Sequence, residues 1–230
     1  MSLKKIFLKT RFSYRLYLYY NLYIRHKCYL KRKQYSQWGE DRFINNFFRN
    51  KNNGIYLDIG CYHPFMYSNT CILHKKGWKG INIDINPTAI DLFNIARPKD
   101  INLCATIDNK KKEHKVFMDD PFSPVNTLNK DFYKRFKKSF FKNKKILTVR
   151  SKTIEEIFLS NGINENIDFI NIDAEGSDFK ILNQININKL GAKLISIETH
   201  NVDGSESQDS SLITTFLKKN NYTIFKRVGP

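Results

Sequence analysis

Four acids each close a short apolar run: Asp58 ends IYLD, Asp84 and Asp173 each end INID, and Glu198 ends LISIE. In an open α/β sheet, ligands collect outside the carboxyl ends of the strands. A carboxylate there can accept both hydrogen bonds of a vicinal diol, so Asp84, after the second run, suits a ribose. The turn after the first run reads Asp58-Ile-Gly60-Cys61-Tyr-His63-Pro64, which is not the glycine pattern of a dinucleotide site. An acid just before the glycine repels a pyrophosphate and attracts a cation, such as the ammonium of an amino acid. A nucleoside joined to an amino acid through a sulfonium is S-adenosylmethionine, so the residues favour that cofactor over a dinucleotide. The alternative for Asp58 is a carboxylate that braces the turn.

These acids need a sheet to hold them. The runs Ile55–Gly60, Ile81–Asp84, Ile101–Ile107, Asp168–Asp173 and Lys193–Glu198 alternate with helix patterns at Ser68–Lys76 and Pro87–Ala96. Ser68 can cap the first helix, Gly77 can end it, and Pro87 suits a first turn. Short apolar strands alternating with helices predict a doubly wound, mostly parallel sheet covered on both faces. The alternation breaks at about 110–152, where Lys115–Met118 reads as a strand, DDPFSP as a turn, and Phe132–Phe141 as a basic aromatic stretch. Such an insertion is expected to lie over the mouth of the site.

The chain has 230 residues and a formal net charge of +17. Residues 1–35 carry ten Lys/Arg and no acid; residues 110–152 carry fourteen Lys/Arg and four acids. The remaining body is therefore slightly acidic. No uncharged apolar run approaches the roughly 18–20 residues that a membrane span needs. The best candidate, Leu16–Ile24, is too short, holds an Asn and four Tyr, and lacks a cleavage site for a signal peptide. Cys28, Cys61, Cys71 and Cys104 follow no metal or redox spacing. The expectation is a cytoplasmic protein with reduced thiols.

Six segments in order resemble the FkbM family of methyltransferases dependent on S-adenosylmethionine. They are Ser36-Gln-Trp-Gly-Glu40-Asp41, Gly54 to Pro64, Ser68-Asn-Thr70, Gly77 to Pro87, Arg97-Pro-Lys-Asp100, and Asp168 to Gly176. The likeness runs from about Ser36 to His200. It implies a class I, Rossmann-like methyltransferase fold and methylation of a hydroxyl, often on sugars, polysaccharides or polyketides. It also implies that Asp58 and Gly60 hold the methionine end, that Asp84 holds the ribose, and that Ala105 and Thr106 lie near adenine. Gln37 and Glu40 would close the near side. Cys61, His63, Asn69, Ile85 and Asp173 complete the candidate cofactor contacts, with His63 also shaping the loop.

A sugar hydroxyl must lose its proton to a base within reach. The candidates are His200, Asp173 and Glu175, with Glu198 and His63 behind them. His200 is preferred because it lies two residues beyond Glu198, so both would point the same way in an extended segment. Its alternative is a surface loop histidine; that of Glu175 is a carboxylate bracing the next helix N-terminus. Asp173 and Glu198, ending neighbouring strands, could also hold a Mg²⁺, although no third ligand is evident.

Residues 1–34 form a basic aromatic arm outside the resemblance, ahead of a methyltransferase domain at 35–230. Lysine and arginine interleaved with Tyr, Phe and Leu suit an anionic membrane surface; a nucleic acid strand, or a helix packed on the body, are the alternatives. In the insertion, Lys134, Arg135, Lys137, Lys138 and Lys142 could meet phosphates of a lipid-linked or nucleotide sugar, with Phe132, Tyr133 and Phe136 against sugar faces or the body. Towards the C-terminus, Lys193–Thr199 reads as a fifth strand, Ser210–Asn220 as a helix and Tyr222–Val228 as a sixth strand. No seventh follows, which predicts a truncated reading frame and an unpaired sheet edge. The leading function is an O-methyltransferase for a glycan or glycolipid, with the arm suggesting work at the inner membrane face; the alternatives are an RNA or DNA methyltransferase and a non-catalytic module binding the same cofactor.

Overall fold

A computed structural model describes residues 10–118, 120–123, 126–128, 130, 133–134, 145–163, 166–174, 176–200 and 207–229. Five parallel strands form the central sheet: β1 (Ile55–Ile59), β2 (Lys79–Asp84), β3 (Ile101–Cys104), β7 (Phe169–Ile172) and β8 (Leu194–Ile197). Their order is β3-β2-β1-β7-β8, so the winding reverses between β1 and β7. That reversal opens a crevice at the carboxyl ends, next to Asp58 and Asp173.

Alternation along each strand divides the side chains between two layers. Leu57, Ile59, Ile81, Ile83, Ile170 and Ile172 pack on one face with helices α6 (Ile154–Ser160), α7 (Asp178–Leu182), α8 (Ile187–Leu190) and α9 (Ser210–Lys219). Tyr56 and Phe169 face the other way, onto Ile44 and Phe48 at α3 (Glu40–Phe47), Leu73 of α4 (Cys71–Lys75), and Trp78. The register sets one polar row across all five strands: Asn102, Asn82, Asp58, Asn171 and Ser196 are successive partners. Asn82 donates to Asn102 at 2.8 Å and Asn171 donates to Asp58 at 2.9 Å, so part of the row is paired inside the protein, while the buried Asn82 Oδ1 has no partner among the described residues.

Helix α4 is shorter than the Ser68–Lys76 pattern, but the Ser68 hydroxyl still accepts from the Cys71 N–H at 3.2 Å. Helix α5 spans Pro87–Ala96, as the sequence predicts, with Asn86 capping the Thr88 N–H. The stretch Ile101–Ile107 is not one strand. After β3 the chain leaves the sheet at Ala105, and β4 (Thr106–Ile107) pairs with β6 (Lys145–Lys152) instead. The basic insertion forms an antiparallel pair from β5 (Glu113–Met118) and β6. Of its basic aromatic stretch only Tyr133 and Lys134 are described; Phe132, Arg135, Phe136, Lys137, Lys138 and Lys142 lie outside the described residues.

The N-terminal arm is helical: α1 (Arg11–Tyr20) runs through a π-turn, Asn21–Arg25, into α2 (Lys27–Leu30). Leu18 and Leu22 bury against Tyr35, Phe65, Cys71 and Leu92. The Tyr14 hydroxyl donates to Asp91 at 2.7 Å. Among the described residues no helix is long and apolar enough to cross a membrane, and all four cysteines are free thiols.

The sixth strand is a correction: Tyr222–Val228 is irregular. β8 is the edge strand of the sheet, and the tail does not pair with it. It lies along α3, where Phe225 meets Phe47 edge-on at 5.6 Å and Lys226 stands over the Phe43 ring.

Candidate functional site

A cleft opens at the strand ends on both sides of the β1–β7 reversal, lined by Asp58, Gly60, Asp84, Asn171 and Asp173. Gly60 makes it possible. Its φ is 79°, and a Cβ added there would stand 1.7 Å from the Asp173 carbonyl oxygen. Any side chain would push the first loop off β7. The Gly60 N–H donates to the Ile83 carbonyl at 2.8 Å, fixing the turn across to β2.

Asp84 accepts from the Tyr62 N–H at 2.9 Å and the Asn86 N–H at 2.7 Å. To donate this way, Tyr62 takes a left-handed φ of 49°. Each carboxylate oxygen keeps a second lone pair for a diol. Burial lifts the Asp84 carboxyl to about 6, against the pull of those two N–H groups.

Asp58 is buried beneath the turn and accepts from Asn171 at 2.9 Å and from the Thr70 hydroxyl at 2.6 Å. Thr70 in turn accepts from Arg97 at 3.0 Å. Arg97 is fully buried and also donates to Tyr56, Ser68 and the Pro64 carbonyl, while Tyr56 donates to Asp100. The Ser68-Asn-Thr70 and Arg97-Pro-Lys-Asp100 motifs are therefore one brace behind the cofactor loop. Burial raises the Asp58 carboxyl, and its two hydrogen bonds and Arg97 oppose the rise. Asp58 thus combines both sequence readings: it braces the turn and lines the cleft.

Asp173 is only partly covered, because it faces the cleft, yet desolvation dominates its titration. Burial, then the charges of Asp178, Asp58 and Glu40, lift its carboxyl to about 7, while a hydrogen bond with Glu198 pulls it partly back. Asp178 lies beneath, accepting from the Ala174 and Gly176 N–H groups, and burial lifts it to about 6. Among the described residues, no lysine or arginine forms an ion pair with Asp58, Asp84 or Asp173.

The sequence-predicted residues divide. Gln37, Asp58, Gly60, Cys61, Asn69, Asp84, Ile85, Ala105 and Asp173 line the cleft. Glu40 acts on Asp173 through its charge and accepts from the Trp38 N–H, but does not line the cleft. Thr106 is turned away: in β4 its neighbours Ala105 and Ile107 face the cleft, and it faces the opposite side. Glu175 lies outside the described residues.

Two histidines need correcting. His63 does not line this cleft and serves as a strut of the loop. Its Nδ1 accepts from the Phe65 and Met66 N–H groups, which leaves the Nε2 proton for Asn21 of the arm at 3.2 Å. Burial, with help from His26, Arg97 and Arg25, drops its pKa to about 3, so it stays neutral. His200 does not reach the cleft lining; its Nδ1 stands 3.4 Å from the Thr199 hydroxyl. β8 ends at Ile197, before both Glu198 and His200, so strand alternation does not govern their directions.

Sequence reasoning missed Asn171, although it sits at the same point of its strand as Asp58 in IYLD. It also missed Ser123, Asn126 and Leu128, which the insertion brings to the cleft. Asn126 is buried, gives its amide N–H to the Ser123 carbonyl at 3.1 Å, and among the described residues has no partner for its Oδ1. Only the fold of the insertion reveals it.

The residues fit a nucleoside that carries positive charge. Among the described residues the acids form no ion pair, Asp84 offers a diol site, and Ile83, Ile85, Ala105 and Ile107 make an apolar wall for a flat ring. A divalent cation fits less well. Asp173 and Glu198 share a hydrogen bond, and no group of three or more His, Cys, Asp or Glu among the described residues is placed to hold a metal. A family model described as "Methyltransferase FkbM domain" matches residues 58–224. No match was found among curated proteins, nor among solved structures.

Proposed function

The chain belongs to the FkbM methyltransferase family, and from that premise we propose that it transfers methyl from S-adenosylmethionine to a hydroxyl of a sugar in a glycan, glycolipid or related metabolite. The observation that carries the cofactor reading is the acidic floor. Asp58, Asp84 and Asp173 line one cleft, all with raised pKa values; among the described residues none is ion-paired to a lysine or arginine, and Arg97 acts on Asp58 from behind through Thr70. A cationic ligand relieves that repulsion, and a neutral or anionic one does not.

Asp58 and Gly60 would hold the methionine end, and Asp84 the ribose hydroxyls. Asn126, brought to the cleft by the insertion, would lie near the adenine. Bound there, the cofactor supplies a methyl already activated by its sulfonium, so positioning carries much of the rate. Asp173 replaces His200 as the proposed base. Its pKa of about 7 suits proton transfer near neutrality, and ionisation is favoured once a cation lies beside it. As the acceptor oxygen gains the methyl, its proton passes to Asp173, with Glu198 sharing the hydrogen bond.

Calorimetric titration with S-adenosylmethionine tests the first step. Binding by the wild type and its weakening by about 10–100-fold in Asp84→Ala are expected; no wild-type binding overturns the reading. Transfer of labelled methyl to fractionated envelope glycans, against total RNA, tests the acceptor. Label in RNA alone would reject the sugar.

A further inference from the structure

The N-terminal helix has two unlike sides. Its inner side is fixed to the walls of the site. Asn21 meets His63, Tyr17 packs edge-on against Phe122 at 5.1 Å, and Leu18 and Leu22 are buried. Its outer side is bare. Phe12 is 75% exposed and Ile24 60%, and Leu16, Tyr19, Tyr20 and Tyr23 are exposed between them. The spacing of Phe12, Leu16, Tyr19 and Tyr23 draws one stripe along the helix. Arg11, Arg15 and Lys27 are exposed beside it, Lys31, Arg32 and Lys33 follow, and residues 1–35 hold no acid.

We propose that this outer face docks on an anionic bilayer, the helix lying flat in the headgroup region. An apolar aromatic stripe with basic flanks is the pattern of an interfacial helix. Each nearby Lys or Arg adds about 1 kcal/mol of attraction to anionic lipid. Two other occupants fit less well. A nucleic acid strand uses basic and aromatic residues but has no use for exposed Leu16 and Ile24. A second copy would set one all-basic segment against another. With its inner side on the cofactor loop, the helix would hold that loop about one helix diameter, roughly 10 Å, from the lipid surface.

Flotation of the full chain with vesicles tests this. The wild type should float with phosphatidylglycerol/phosphatidylcholine vesicles and bind pure phosphatidylcholine at least about tenfold more weakly. Phe12→Ser/Leu16→Ser/Ile24→Ser should abolish flotation. Arg11→Gln/Arg15→Gln should weaken it about 30-fold, the ratio for two contacts of about 1 kcal/mol each. All three side chains in the first variant are exposed, so an unchanged thermal melt separates lost docking from lost folding. Three results would overturn the proposal: undiminished binding by the triple serine variant, equal binding to neutral vesicles, or no vesicle binding alongside RNA binding or dimerisation that the same variant removes.

Discussion

Asp108 and Asp173 each follow a short strand by one position, and their carboxyls titrate at opposite ends of the acidic range. Asp108 is completely buried, and burial alone would raise it. Hydrogen bonds from Lys180 at 2.6 Å, from Lys112, and from the Asn109 N–H outweigh that and hold it at about 2. Asp173 is lifted to about 7, by burial first and then by the carboxylates around it. The first acid is a structural joint, tying the root of the inserted strands to α7. The second is left with its repulsion unrelieved. A protein with 39 Lys and Arg does not lack cations. Among the described residues none forms an ion pair with the cleft acids, and Arg97 reaches Asp58 only from behind through Thr70, so the open side of the cleft is where a ligand would bring positive charge.

The largest expected effect comes from removing that unrelieved charge. Asp173→Asn should cut methyl transfer by about 10²–10⁴, the usual worth of a general base, while raising the melting temperature of the ligand-free protein at pH 8. A variant that keeps full activity would end the comparison. Asp84→Ala comes next. Losing a charge-assisted pair to the ribose should weaken S-adenosylmethionine binding by about 10–100-fold in calorimetry.

At the other pole, Asp108→Asn should leave cofactor affinity unchanged but lower stability to urea by about 1–2 kcal/mol, discounted because Lys180 and Lys112 are half exposed. The two poles also predict opposite pH trends. Asp84, Asp173 and Asp178 have raised pKa values, so their stabilising contribution is full below about pH 4 and fades as pH rises through about 6 to 7. The contribution of Asp108 is complete above about pH 4 and fades as pH falls towards 2. The ligand-free melting temperature should therefore decline between pH 5 and 8, while cofactor affinity climbs over the same range. A fall in affinity with pH would contradict the acidic floor. The smallest effect belongs to Asn126→Ala, about threefold to tenfold in cofactor affinity, the worth of one hydrogen bond.

Much of the site was legible because a strand's end is a local property. The runs IYLD and INID mark their own strands, and alternation turns Asp58 and Asn171 to one face. The turn Asp58-Ile-Gly60 announces itself through its glycine. His200 was less legible, because its direction depends on how the chain leaves β8. Tyr222–Val228 has the alternation of a strand, but a strand also needs a partner edge, which is not written in its own residues.

The sequence by itself determined the parallel α/β sheet, the order of its acids and the segregation of charge into the arm and the insertion, since period, propensity and charge are carried by neighbouring residues. The tertiary structure decided the rest. It joined Asn21 to His63 across 42 positions and Lys180 to Asp108 across 72. It made Arg97 a buried brace rather than a surface cation, and it brought Asn126 to the cleft. Whether a polar group is spent inside the protein or left for a ligand depends on which distant groups the fold sets beside it. Burial then amplifies each such pairing, or its absence, by removing the water that would have masked it.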